Sequence, residues 1–151
     1  MLKFDSIQDI IDFAIEEEQK SIDIFTELSQ KSINYKLRML LEQLIRDEIK
    51  HKEQLQNLGQ TLPSDFNTEL IGDFSYFNDL NKPIISPDNT VSEALTLIIK
   101  AEDIMSNFYN KLGNYCTNPE YKKMFFQISE EEKKHKRLYE YEFNELIKMP
   151  K

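Results

Sequence analysis

Residues that interrupt helices are scarce in this chain. Its 151 residues include 3 glycines and 5 prolines, and neither type occurs before Gly59. That leaves too little turn-forming material for the many tight reversals of an all-β fold. Cysteine is nearly absent as well. Cys116 stands alone, so no internal disulfide can form and no Cys-x-x-Cys pair can hold a metal; a reducing, intracellular setting is expected. Positive charge is in deficit, with 19 basic against 27 acidic side chains and a formal net charge of −8. The sign is opposite to what a nucleic acid or an anionic membrane surface attracts. No apolar run approaches the ~20 residues needed to cross a bilayer, and the opening MLKFDSIQDI lacks the apolar stretch of a secretory signal. These absences predict one soluble, cytoplasmic domain over residues 1–151, built from long helices, with small molecules, metals or other proteins as partners.

What is present is a duplication. Residues 6–58 and 90–142 superpose without a gap at an offset of 84, which carries Ser6 to Thr90 and Asn34 to Asn118. Ser6-x-x-Asp9 and Thr90-x-x-Glu93 have the capping-box form that opens a helix. Asn34 and Asn118 are favoured N-cap residues, and Pro119 suits the first helical position. Each repeat therefore holds two helices, predicted over 6–31 and 34–58, then 90–113 and 118–147, the second repeat running to 147. Residues 59–89 contain Gly59, Pro63, Gly72, Pro83 and Pro87 with Phe66, Phe74, Tyr76 and Phe77 among them. They read as a crossover connector that packs along the bundle and carries the chain to its far end.

The apolar periodicity gives one stripe per helix. Steps of four and three lead through Ile7, Ile11, Ala14, Glu18, Ser21, Phe25 and Leu28, then through Leu37, Leu41, Leu44, Glu48, His51, Leu55 and Leu58. The second repeat gives Val91, Leu95, Ile98, Glu102, Met105, Tyr109 and Leu112, then Tyr121, Phe125, Ile128, Glu132, His135 and Tyr139. Such stripes form the core of a four-helix bundle. Every stripe is interrupted near its middle by Glu, or by Glu and His.

Those interruptions carry the chemistry. Glu48-x-x-His51 and Glu132-x-x-His135 use the only 2 histidines of the chain, and a spacing of three puts carboxylate and imidazole on one helical face. Glu18 and Glu102 repeat the same offset on the other two helices. At ~1.5 Å per residue, Glu18 and Glu48 lie about equally far from the turn joining their helices, and Glu102 and Glu132 agree within a turn. All six converge if the hairpins associate face to face. Four buried carboxylates without partners are costly, and two divalent cations would neutralise them. Carboxylate and imidazole without thiolate suit iron or manganese, with zinc as a substitute. This ligand order is the ferritin-like dinuclear arrangement, so the predicted fold is an all-α, ferritin-like four-helix bundle of two duplicated hairpins joined by the long connector.

AIEEEQKSIDIF and DEIKHKEQL in the first repeat, with KAEDIMSNFY and EEEKKHKRL in the second, resemble the rubrerythrin branch of the ferritin-like superfamily. The resemblance implies a pair of iron ions held by Glu18, Glu48, His51, Glu102, Glu132 and His135, and an oxidoreductase that reduces hydrogen peroxide or O₂. Two departures stand out. Rubrerythrins proper carry a further Glu three residues after the third-helix ligand, where this chain has Met105. The Cys-x-x-Cys pairs of a rubredoxin-like domain are also missing, so a separate electron-donor protein is implied. A homodimer is expected because the fold family often pairs along its helices. A ferroxidase or iron-handling protein, and a non-enzymatic metal-binding bundle, are the alternatives.

The remaining candidates have plainer readings. Glu16, Glu17, Asp47, Glu130 and Glu131 flank the ligands off the stripe and read as solvated surface, with Asp47 and Glu131 the two placed to meet an imidazole N–H. Tyr109 reads as core filling, with a hydrogen bond to the site as the alternative. Met105 and Phe25 read as packing, and Cys116 as structural.

Overall fold

The computed structural model describes residues 4–32, 34–58, 63–67, 69–75, 85–86 and 88–148. Ser6, Asn34, Thr90 and Asn118 each open a helix by accepting a backbone N–H two or three residues ahead, at 3.0 to 3.1 Å. These side chains satisfy donors that the first helical turn leaves without an internal partner. The helices are α1 (Ile7–Lys31), α2 (Tyr35–Gln56), a short α3 (Glu69–Ser75), α4 (Val91–Tyr115) and α5 (Pro119–Lys148). The reciprocal capping box closes at Thr90 and Glu93. At the first repeat Asp9 instead accepts the N–H of Asp5 at 3.0 Å, its side chain being one methylene shorter than that of Glu93.

The four long helices are those the sequence predicts, with ends displaced by no more than two residues. Of the two ends displaced by two residues, that of α4 is informative. Gly113 was expected to end its helix, yet α4 continues to Tyr115, and Gly113 lies against α5 instead. A Cβ there would sit 2.6 Å from Phe126 Cε1. Closer to mid-helix the same seam holds Ser106 and Ser129, each hydroxyl donating to the other's backbone carbonyl at 3.1 and 2.7 Å. Small residues let α4 and α5 approach, and the two serines satisfy each other in the dry interior.

Two apolar clusters fill the bundle. One gathers Ile10, Ile11 and Phe13 from the start of α1, Leu55 from the end of α2, Phe108 and Leu112 from the later half of α4 and Phe125 from early α5. The other gathers Phe25 and Leu28, Leu37 and Leu41, Leu95 and Ile98, and Tyr139. Hence α1 runs parallel to α5, and α2 parallel to α4. The helices pack as hairpins α1–α2 and α4–α5, with α2 also against α5 and Phe13 of α1 meeting Phe108 of α4 at 5.6 Å between centroids. Truncating a fully buried leucine such as Leu41 to alanine costs about 2–5 kcal/mol in such a core.

A chain that ends α2 at one end and begins α4 at the other must travel the bundle's length, and the connector does so. Phe66, Leu70 and Phe74 belong to the first cluster, while Ile85 packs on the second. Residues 65–67 pair with the end of α4, Asn67 N–H to Tyr115 O and Thr117 N–H to Asp65 O, both at 2.7 Å. Helix α3 was not expected; Leu70 and Phe74, four apart, give it one apolar face, and Asp73 is held by the Tyr115 hydroxyl. Gly59, Tyr76, Phe77, Pro83 and Pro87 lie outside the described residues. Among the described residues no helix is long and apolar enough to cross a membrane.

Candidate metal centre

Between the two apolar clusters lies a polar layer, contributed by all four long helices. Glu18 comes from α1, Glu48 and His51 from α2, Glu102 from α4, and Glu132 and His135 from α5; none is more than 4% exposed. The structure brings all six together. They fall into two overlapping groups, Glu18, Glu48, His51 and Glu132, then Glu48, Glu102, Glu132 and His135, in each of which one ligand atom per residue lies within 4.8 Å of the others. Glu48 and Glu132 belong to both. The duplication therefore yields two equivalent half-sites with a shared pair of carboxylates between them.

Both imidazoles turn Nδ1 inward. His51 Nδ1 lies 3.0 Å from Glu132, 3.9 Å from Glu48 and 4.0 Å from Glu18. His135 Nδ1 lies 3.2 Å from Glu48 and 3.9 Å from Glu102. The rings stand 6.2 Å apart at 28°. Their outward nitrogens are held by acids of the opposite hairpin, His51 Nε2 by Glu131 and His135 Nε2 by Asp47, the latter at 3.2 Å. With Nε2–H donating to a carboxylate, the Nδ1 lone pair is left for an ion. Asp47 and Glu131, themselves 84 apart, are thus the flanking acids that reach imidazoles. They line a groove of about 420 Å³ over the α2–α5 seam, with Lys50 and Lys134 beside them.

Glu16 and Glu130 are exposed, as expected of surface acids, but Glu17 is buried. Lys20, one turn on, donates to it at 3.2 Å and covers it. Tyr109 does more than fill space, since its hydroxyl donates to Glu18 Oε1 at 2.6 Å. Met105 and Phe25 are buried in the apolar clusters. Cys116 is buried at the end of α4, its thiol 3.5 Å from Asn118 O. Tyr139, read only as core, proves to have its enclosed hydroxyl one turn past His135 on α5; a phenol on the stripe beside a ligand was the one signal available.

The electrostatics show what the layer lacks. Burial, joined by the charge of Glu132, raises the carboxyl of Glu48 well above its ordinary value, and burial raises that of Glu18. Burial works against a charged His51, yet contacts with Glu131 and Glu132 outweigh it and push its pKa to about 10. Burial likewise opposes ionised Glu132, but hydrogen bonding with Glu102 and His51 holds it down to about 2. Protons are thus recruited to neutralise the carboxylates. Even so, Glu18 Oε2, Glu48 Oε1, His51 Nδ1, Glu132 Oε1 and His135 Nδ1 are enclosed and close to one another without a well-aligned hydrogen bond to satisfy them. Buried polar atoms are rarely left so; inward-facing carboxylate and imidazole atoms of this kind fit divalent metal, and nothing softer than nitrogen is offered.

An all-α bundle with this layer at mid-height belongs to the ferritin-like class. The sequence model of the rubrerythrin family matches residues 9–142, so the chain belongs to the rubrerythrin family. Comparison with curated proteins and with solved structures finds no match.

Proposed function

We propose that this protein is a non-haem di-iron oxidoreductase that reduces hydrogen peroxide or O₂ with electrons from a separate donor protein. The observation that carries the reading is the pair of overlapping ligand groups sharing Glu48 and Glu132. One ion would take Glu18 and His51, the other Glu102 and His135, with Glu48 and Glu132 serving both. Iron held as such a pair supplies two electrons, the number a peroxide O–O bond needs for its reduction to water.

The chain's own residues set the conditions for that chemistry. Asp47 and Glu131 fix the two imidazoles with Nδ1 inward. Tyr109 fixes one oxygen of Glu18 and holds a proton there, because burial, followed by the charge of Glu18, raises its phenol well above the ordinary value. The apolar clusters on either side keep bulk water from the layer. The groove over the α2–α5 seam brings solvent to Asp47 and Glu131 and reaches the edge of His135, while all six ligands stay buried, which favours a small oxidant over a bulky substrate.

Metal analysis and the optical spectrum of freshly purified protein test the first half of this reading, with two irons per chain expected. Adding hydrogen peroxide to the reduced protein tests the second. A rapid colour change without damage to the chain is expected; a slow or absent reaction would count against peroxide as the substrate.

A further inference from the structure

The two halves of the centre are not identical copies. Tyr109 hydrogen-bonds Glu18, but the residue equivalent to Tyr109 in the first repeat is Phe25, so the corresponding hydroxyl for Glu102 is missing. In the other direction, Tyr139 of the second repeat corresponds to Leu55. Each half therefore has one phenol, supplied from a different position. Tyr139 lies one turn beyond His135 on α5, is fully buried, and sets its ring against Phe25 with centroids 5.9 Å apart.

Its hydroxyl is enclosed and has no hydrogen-bond partner. A partnerless hydroxyl in a dry core is a standing cost that phenylalanine would avoid. Burial raises this phenol well above its ordinary pKa, and among the charges acting on it Glu102 weighs most, ahead of Glu48 and Glu132. The group is therefore a neutral donor located beside the Glu102 half of the layer.

We propose that Tyr139 is the positioning residue of the second half-site, its hydroxyl donating to the Glu102 carboxylate when metal is bound, as Tyr109 donates to Glu18. The inference rests on the metal-centre reading above. It makes the exchange of Tyr for Phe at position 25 and of Leu for Tyr at position 139 two parts of one compensation. A hydroxyl lost from α1 is returned from α5.

Cobalt(II) titration of the metal-free protein, followed by visible absorption, separates the two ions. Wild type is expected to take up two per chain. Tyr139→Phe should weaken one uptake step by about 10- to 100-fold, the usual effect of removing a group that orients a ligand, and leave the other within about twofold. The double variant Phe25→Tyr with Tyr139→Phe, which moves the phenol to the position equivalent to Tyr109, should restore the weakened step. Without metal, Tyr139→Phe should melt at or above the wild-type temperature, whereas Tyr109→Phe should melt below it. Unchanged uptake in Tyr139→Phe, equal weakening of both steps, or failure of the helical double variant to restore binding would each overturn the proposal. No cobalt uptake by the wild type would overturn the metal-centre reading itself, a result distinct from two normal steps that Tyr139→Phe leaves unmoved.

Discussion

His135 on α5 is held through Nε2 by Asp47 on α2, at 3.2 Å, and its counterpart His51 on α2 is held by Glu131 on α5. Each hairpin thus orients the imidazole that the other contributes. An acid from the same helix could have oriented the ring alone. One from the opposite helix also makes the orientation depend on the hairpins being docked. Asp47→Ala and Glu131→Ala are expected to weaken metal binding by about 10- to 100-fold with little change in helix content. Competition against a chromophoric chelator, alongside circular dichroism, measures both; full affinity in either variant would remove the orienting role.

The sharing of Glu48 and Glu132 between both ligand groups makes them unequal to Glu18 and Glu102, each of which serves a single group. Glu48→Ala or Glu132→Ala should abolish tight binding of both ions. Glu18→Ala or Glu102→Ala should leave one ion per chain. Metal content after gel filtration distinguishes the two outcomes, and retention of two ions in Glu48→Ala or Glu132→Ala would contradict the shared assignment.

Protons take the place of metal charge when the layer is empty, and this gives a pH signature. His51 titrates at about 10 in the folded chain against an ordinary 6.5. Its contribution is fully present below pH 6.5 and is lost as pH rises through 10. Glu48, raised well above 4.5, acts in the same sense, being favoured neutral. Glu132, lowered from 4.5 to about 2, acts oppositely, contributing above pH 4.5 and ceasing to do so as pH falls through 2. Protein stripped of metal should therefore lose stability between pH 6.5 and 10. Metal-loaded protein should lose much less, because binding releases those protons. Denaturant midpoints across that range check it, and a flat profile for stripped protein would argue against the proton-neutralised cluster.

Gly72 and Gly113 both lie in helices, yet their surroundings differ. A Cβ at Gly72 meets nothing within 4 Å, while one at Gly113 meets Phe126 Cε1 at 2.6 Å. Gly72→Ala should stabilise the fold by up to about 1 kcal/mol through helix propensity. At Gly113 the same gain is opposed by overpacking of about 1–3 kcal/mol, so Gly113→Ala should be neutral to destabilising. Paired thermal melts decide it; a larger gain from Gly113→Ala would show that Phe126 moves aside freely.

The helices were legible because each has its own cap and its own apolar stripe, and both are local properties. Of the stripe positions only Ser21, Val91 and Tyr121 are half-buried rather than buried, so the period of the pattern located the core. The connector was harder. Its aromatics signalled packing, but α3 is seven residues long, too short for periodicity to announce, and it is held by contacts with α4. Gly113 misled for a related reason. Glycine marks either a helix end or a close approach, and only the neighbouring helix distinguishes the two.

By itself the sequence determined which residues would share a helical face and which positions the duplication makes equivalent, because rise and turn per residue are fixed by the backbone. It therefore named Glu18, Glu48, His51, Glu102, Glu132 and His135 together. Tertiary structure alone decided that Asp47 and Glu131 each serve the opposite hairpin's histidine, that Tyr109 reaches Glu18, and that the Tyr139 hydroxyl is enclosed without a partner. Those relationships depend on how two hairpins dock, and docking brings together side chains about 80 to 90 residues apart in the chain, a distance over which no local periodicity carries information.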